Sequence, residues 1–380
     1  MDGQRRIVGL DIPAEPGMPL EEIATPALIV DLDAFERNVA TLRAFIDANG
    51  VRLRAHAKTH KSADIARYQM DQGGACGICC QKVSEAQALV AAGINDVLVS
   101  NQVIDPRQIR HLAEMARDAR IIVCVDDADN VDALAIAAQN AGTTIECLVE
   151  IDVGAGRCGV PSGPPATALA GKIAQARGLK FSGLQAYQGS AQHKHTAAER
   201  KALVDVAINQ VRETVALLEA EGLPCDIIGG AGSGSYELET ASGIYNELQC
   251  GSYIFMDADY GRILDADGQP KSDFENALFI LTSVMSKTKP GLAVCDAGLK
   301  VQSVDSGPPV VFGRDDLEFT KCSDEHGVIA DPADSLALGD KLKLIPGHCD
   351  PTCNIHDYYV GVRGDVVECL WPVTARGRAY

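Results

Sequence analysis

No stretch of this chain approaches the roughly 18 consecutive apolar residues that a membrane-spanning helix needs. The opening residues 1–10 hold two arginines and no apolar core, so no secretory leader is expected. Positive charge is short as well: 34 Lys and Arg stand against 52 Asp and Glu, a net charge of −18. That balance excludes a general binder of phosphate backbones. The expected partners are small molecules, with neither nucleic acid nor membrane among them. There is no low-complexity linker and no internal repeat of the kind that builds solenoids.

Cysteine is not scarce: there are 13. Yet a chain of 380 residues carries enough apolar residues to build a core without disulfides. With no leader, reduced thiols in the cytoplasm are the expectation. Cys76, Cys79 and Cys80 approach zinc-ligand spacing, but no matching second pair follows and 77–80 reads as a buried strand.

From residue 26 to about 230, short apolar runs alternate with amphipathic stretches. Strands are expected at 26–31, 53–57, 77–80, 96–100, 121–126, 146–152, 181–187 and 226–229. A helix over 33–49 follows the first, with Asp33 as its cap, Glu36 three residues on, and Phe35, Val39, Leu42 and Ile46 in one stripe. Further helices are expected at 84–92, 107–117, 133–141, 166–177 and 199–221. Eight near-continuous apolar strands, each followed by a helix or helical turn, predict a (β/α)8 TIM-type barrel over residues 25–274. A doubly wound sheet is the alternative. After residue 275 the helical period disappears and short strands alternate with Gly, Pro and Asp turns. Residues 275–380, joined by 1–24, are expected to form a second, mostly-β domain.

The densest chemistry lies in residues 54–61, which carry His56, Lys58, His60 and Lys61. Lys58 falls at the C-terminal end of a strand, the end that faces the active site in a parallel barrel. Partly desolvated beside other cations, its pKa is expected to fall, leaving a neutral amine able to attack a carbonyl. A solvated basic strand end is the plainer alternative. Other strand ends bring Gln81, Arg157 and Tyr187, with His193 and His195 just beyond. The last strand is followed by Gly229, Gly230, Gly232, Ser233 and Gly234, and Gly251, Ser252 and Tyr253 come about twenty residues later. Glycines there let backbone N–H groups converge on an anion. A lysine, an arginine and a phosphate cup on one barrel rim suggest pyridoxal phosphate: its aldehyde at Lys58, its phosphate at Gly232, Ser233, Gly251 and Ser252, and Arg157 at the pyridine nitrogen.

A second constellation lies far along the chain, at His348, Cys349 and Asp350. If this backbone is extended, His348 and Asp350 share a face and suit a divalent cation: Mn²⁺, Mg²⁺, Co²⁺ or Zn²⁺. Cys349 as ligand would instead favour zinc.

These pieces together resemble the D-threonine aldolase family, within the alanine-racemase-like (fold type III) pyridoxal phosphate enzymes. The resemblance runs from Thr25 to Asp33, through His56 to Lys61, Asp152 to Gly159, Tyr187, the glycine-rich loop and Ser323 to Gly327, to the closing motif at 346–354. It implies a Schiff base on Lys58, His193 as base, and His348 and Asp350 as ligands of a metal, manganese foremost. Gln81, Arg157, Tyr187, Gly232, Ser233, Gly251, Ser252 and Tyr253 would hold the cofactor. The implied reaction cleaves D-threonine and other D-3-hydroxy amino acids to glycine and an aldehyde, in a homodimer. Ala55 stands where related sequences often have proline. Related dehydratases commonly have cysteine two residues after the metal histidine; Asp350 here favours an aldolase. The alternatives are such a dehydratase and a non-catalytic pyridoxal-phosphate homeostasis protein, although the latter lacks a β domain. A racemase is disfavoured, because the second domain offers no strong candidate for its opposite-face tyrosine.

Overall fold

The computed structural model describes residues 6–380. Eight parallel strands close into a barrel: Arg52–His56, Gly77–Cys80, Asp96–Val99, Arg120–Val125, Ile145–Glu150, Leu179–Gln185, Ile227–Gly230 and Glu247–Leu248. The circle is sealed where Arg52 and Leu53 pair with Glu247 and Leu248. Side chains pointing inward form layers. One buried apolar cluster is made of Cys79, Leu98, Ile122, Cys124, Leu148 and Ile227. Beneath it, at the N-terminal end of the strands, lies a layer of ion pairs. Arg54 is fully buried there between Glu247, 2.7 Å away, and Asp96. Gly77 leaves room for this arginine, since a Cβ would fall 2.3 Å from its Nη1.

The closed barrel was expected, but its membership differs in one place. The strand Ala27–Asp31 is not a barrel strand. It pairs antiparallel with Leu278–Lys289 and parallel with Tyr358–Arg363, inside the sheet of the other domain. Its alternating residues serve two cores: Leu28 and Val30 face the main core, Ala27 and Ile29 that of the β domain. Burial on both faces makes it as continuously apolar as a parallel barrel strand, which is why the sequence cannot tell them apart. The strand that takes its place, Glu247–Leu248, is two residues long and starts with a charge, so it carries no apolar run.

The helix Leu32–Asn49 buries the expected stripe of Phe35, Val39, Leu42 and Ile46 and ends at Gly50 in the left-handed region. Its cap is Asp31, which accepts from the Ala34 amide at 3.0 Å, and not Asp33. Asp33 and Glu36 instead bind Arg363 of the β domain.

The second domain holds a nine-stranded sheet: seven strands run from Glu318–Cys322 through Gly327–Ala330, Leu292–Cys295, Leu278–Lys289, Ala27–Asp31 and Tyr358–Arg363 to Val366–Pro372, and Lys341–Ile345 pairs with Leu278–Lys289 and carries Val310–Val311 on its other side. The N-terminal arm joins it: the Gly17 and Leu20 amides donate to Val367 and Asp365, both at 2.8 Å. No described helix is long and apolar enough to cross a membrane. All the cysteines are free thiols.

Candidate active site at the barrel mouth

Lys58 lies in the tight turn after the first barrel strand. That turn is closed by the Lys61 amide, which donates to Ala57 at 2.7 Å. The Lys58 amide also reaches His56 Nδ1, at 3.3 Å. Its ammonium pairs with the Asp350 carboxylate, which arrives from the β domain. The pKa expected to fall is therefore raised. Burial pulls it down, but the charge of Asp350 and the nearby Tyr187 more than offset that. Asp350 is held far below the usual carboxylate range, because the Lys58 charge and hydrogen bond outweigh its own burial.

A cavity of about 260 Å³ opens beside this pair, at the C-terminal end of the barrel strands. Lys58, Gln81, Arg157, Tyr187, Gly232, Ser233, Gly251 and Ser252 all line it. A larger groove, about 560 Å³, lies outside the barrel between helices Pro106–Met115 and Ala128–Ala141, away from the strand ends where barrel chemistry is found. Tyr253 is not on the cavity wall. Its ring packs 5.6 Å from Phe274, its hydroxyl accepts from Gln69, and only its amide faces the glycine loop, donating to Ser233 Oγ at 2.9 Å. Arg157 spans the opening with its guanidinium 5.9 Å from the Tyr187 ring centroid and 3.7 Å from Glu150.

The two glycine loops form a cradle of bare backbone. A Cβ on Gly251 would fall 2.6 Å from Thr59 Oγ1, and one on Gly232 would fall 2.5 Å from Gln192 Oε1. The amides of Ser233 and Gly251 have no acceptor among the described residues. Free, converging N–H groups of this kind fit a phosphate. With Lys58 and Arg157 on the same wall, the donor set fits pyridoxal phosphate.

Gln185, Gln249 and Tyr260, which sequence reasoning did not single out, line the cavity directly, as does His56 of the basic segment. Gln185 and Gln249 bind each other at 2.7 Å. For His56, Gln185 and Gln249 the available signal was a polar residue at or just past the C-terminal end of a strand; Tyr260 lies on the 3-10 turn Tyr260–Arg262 and had no such signal. His56 is buried and held neutral, by desolvation first and then by the Lys58 charge. His60 and Lys61 are structural, bound to Gln69 at 3.1 Å and Glu85 at 2.8 Å.

His193 sits on the short 3-10 turn Gly189–His193, with its side chain 68% exposed and Nδ1 3.3 Å from Asp259. It lies one residue beyond Gln192, whose side-chain oxygen accepts from the Gly234 amide at 2.9 Å.

The stretch His348–Asp350 is not extended throughout. Only His348 is; Cys349–Cys353 winds into a helical turn, because Pro351 and the Thr352 hydroxyl, which donates to the His348 carbonyl at 2.7 Å, close it. Cys349 is fully buried and its thiol pKa is pushed up, so it stays protonated and is a poor ligand. Among the described residues, no three His, Cys, Asp or Glu side chains gather into a metal-binding cluster. His348 and Asp350 supply two donors, one imidazole and one carboxylate. That set suits a divalent cation whose remaining positions are taken by water or substrate.

Comparison with known proteins fits this architecture. The family described as alanine racemase, N-terminal domain, matches residues 30–259, and a putative serine dehydratase domain matches 277–362. The chain is 57% identical over 376 residues to a 3-hydroxy-D-aspartate aldolase of Paracoccus denitrificans (strain Pd 1222), covering 98% of this chain and 97% of that protein. It is 47% identical over 374 residues to a D-threonine aldolase of Arthrobacter sp, covering 98% of each. A crystal structure of D-threonine aldolase from Filomicrobium marinum superposes with a TM-score of 0.94 at 49% identity, covering 97% of this chain and 100% of that one.

Proposed function

Because the chain belongs to the D-threonine and 3-hydroxy-D-aspartate aldolase family of alanine-racemase-like enzymes, we propose that it uses pyridoxal phosphate and a divalent cation to cleave D-3-hydroxy amino acids, D-threonine among them, to glycine and an aldehyde. It is a carbon–carbon lyase of the D-amino acid aldolase class. The finer reading rests on one observation. Lys58, which lines the cavity, is in contact with Asp350 of the other domain, and that contact sets the His348–Asp350 turn beside the cavity wall.

Lys58 would anchor the cofactor through its amine. The loops at Gly232, Ser233, Gly251 and Ser252 would hold its phosphate with backbone N–H groups and hydroxyls, and Arg157 would donate to its ring nitrogen. Gln81 and Tyr187 would complete the wall. Pyridoxal phosphate supplies a carbonyl for the substrate amine and a conjugated ring that takes up the electrons released when Cα–Cβ breaks. His348 and Asp350 would hold the cation, Mn²⁺ foremost among Mn²⁺, Mg²⁺, Co²⁺ and Zn²⁺, which supplies a Lewis acid for the substrate β-hydroxyl. His193 takes the hydroxyl proton at Nε2, with Nδ1 turned to Asp259. As a guanidinium, Arg157 would orient the ring nitrogen by donating a hydrogen bond. The protein would act in the cytoplasm as a homodimer.

The putative serine dehydratase domain over residues 277–362 favours a second reading, expulsion of the β-hydroxyl with release of ammonia. Products from D-threonine separate the two. Acetaldehyde and glycine in equal amounts support the aldolase; 2-oxobutyrate and ammonia would replace it with the dehydratase.

A further inference from the structure

We propose that Asp305 is a positioning residue for His348, holding its imidazole so that Nε2 is presented to the divalent cation; this rests on the reading of His348 as a metal ligand. His348 Nδ1 lies 2.8 Å from Asp305 Oδ2, so Nδ1 carries the proton and donates it to the carboxylate. Against a carboxylate, which only accepts, Nδ1 is the N–H nitrogen, so Nε2 is the nitrogen left to face a metal.

Asp305 does not reach His348 as a loose surface side chain. Its other oxygen, Oδ1, accepts from Ser303 Oγ at 2.6 Å. The Ser303 amide donates to Thr352 Oγ1 at 3.1 Å, and Thr352 Oγ1 donates to the His348 carbonyl at 2.7 Å. The hydrogen bonds therefore form a closed ring from the His348 side chain through Asp305, Ser303 and Thr352 back to the His348 backbone. Both ends of one histidine are tied to the loop at 303–305, and its χ angles have little freedom left.

A plain surface ion pair would not need this ring. Asp305 is half-exposed, and such pairs contribute little to stability on their own. What the ring does supply is orientation of a single ring nitrogen, beside a second donor, Asp350, two residues along the same turn. No protein hydrogen bond engages His348 Nε2 among the described residues.

The test is titration of the full, cofactor-loaded protein with Mn²⁺, followed by loss of the free Mn²⁺ electron paramagnetic resonance signal. Wild type, Asp305→Ala, Asp305→Asn and His348→Ala are compared, with bound pyridoxal phosphate measured in each. Asp305→Ala is expected to weaken Mn²⁺ binding by about 10–100-fold with cofactor content unchanged. Asp305→Asn retains an acceptor for Nδ1–H and is expected to lose less; a purely structural role for the carboxylate would lower bound cofactor along with Mn²⁺ affinity. Should Asp305→Ala not fold, Asp305→Asn and Ser303→Ala carry the test, each with weakened Mn²⁺ binding expected. Wild-type affinity in the Asp305 variants, with His348→Ala impaired, would overturn the role of Asp305 alone. A wild-type protein that takes up no Mn²⁺ would overturn the metal reading and this one with it.

Discussion

Lys58 and Asp350, 292 residues apart in sequence, hold each other by their charges at the mouth of the barrel. The contact has a cost for either residue's proposed second partner. An ammonium on Asp350 Oδ2 competes with a cation for the same carboxylate, and the lysine is kept protonated by it. With its amine engaged by the cofactor, Lys58 would no longer offer Asp350 a free ammonium, and Asp350 would be freer to hold a cation. Manganese is therefore expected to bind more tightly to the cofactor-loaded protein than to the cofactor-free one. Coupling between two sites in one protein typically amounts to about 5–150-fold. By linkage, Mn²⁺ must tighten pyridoxal phosphate binding by the same factor. Titrating Mn²⁺ into both forms measures this directly, and equal affinities would sink the idea.

Two lysines lie close together in the basic turn, and the structure separates them. Lys58 lines the cavity, whereas Lys61 is bound to Glu85 at 2.8 Å and to the carbonyl of Arg378 at 3.2 Å. Borohydride reduction in the presence of pyridoxal phosphate, followed by peptide mass spectrometry, is expected to label Lys58 and not Lys61. Lys58→Ala should abolish the label. A label on Lys61 in the wild-type protein would reassign the anchor.

His193 stands more exposed than the other proposed catalytic groups, and Asp259 is the side chain that orients it. Asp259 also accepts from Arg262 at 2.7 Å, so its carboxylate is itself fixed. His193→Ala is expected to lower kcat by about 10²–10⁴-fold while the cofactor remains bound. Asp259→Asn is expected to cost less, and to change kcat more than KM. Near-normal kcat in His193→Ala would move the base to another group.

How legible this was from the sequence depended on whether a residue's neighbours are near in the chain. The lysine turn, the glycine loop at 229–234 and Arg157 each follow a strand legible in the sequence, so their common rim could be read locally, whereas the Gly251 loop follows Glu247–Leu248, which has no apolar run to mark it. The strand Ala27–Asp31 could not be assigned, since its burial on both faces looks the same in either domain. The pairing of Lys58 with Asp350 also escaped, and with it the direction of the lysine's pKa, because the partner lies in another domain. Gln185 and Gln249 were readable in kind, as polar residues at strand ends, but only the closed barrel brings them to one cavity.

The ion layer at the bottom of the barrel gives a stability test at another long-range contact. Glu247 is buried and binds Arg54 through both carboxylate oxygens, and its short strand closes the barrel. Glu247→Ala leaves the buried guanidinium short of a partner and is expected to cost about 3–5 kcal/mol. Replacing Arg54 and Glu247 together with Met and Leu should recover most of that loss. Urea unfolding of the single and double variants decides it; a Glu247→Ala loss under about 1 kcal/mol would mean that Asp96 alone satisfies Arg54.

Glu239 provides a pH dependence of known sign. It lies buried under the glycine loop, where burial pushes its carboxyl up to about 8, offset only in part by the Ser235 hydroxyl at 2.9 Å. Its Oε2 has no hydrogen-bond partner among the described residues. In the unfolded chain a glutamate titrates near 4.3. Between those two values the folded protein holds a proton that the unfolded chain has released. Stability must then fall as pH rises through that window, by at most about 1.4 kcal/mol per pH unit from this group, and level off above it. Glu239→Gln keeps the shape and removes the titration. Its unfolding free energy should lose less between pH 5 and pH 8 than that of the wild type, so that the variant gains on the wild type as pH rises. Other titrating groups are common to both proteins and cancel in the difference. Parallel curves across that range would mean that Glu239 is ionised in the folded protein and has found a partner for its second oxygen.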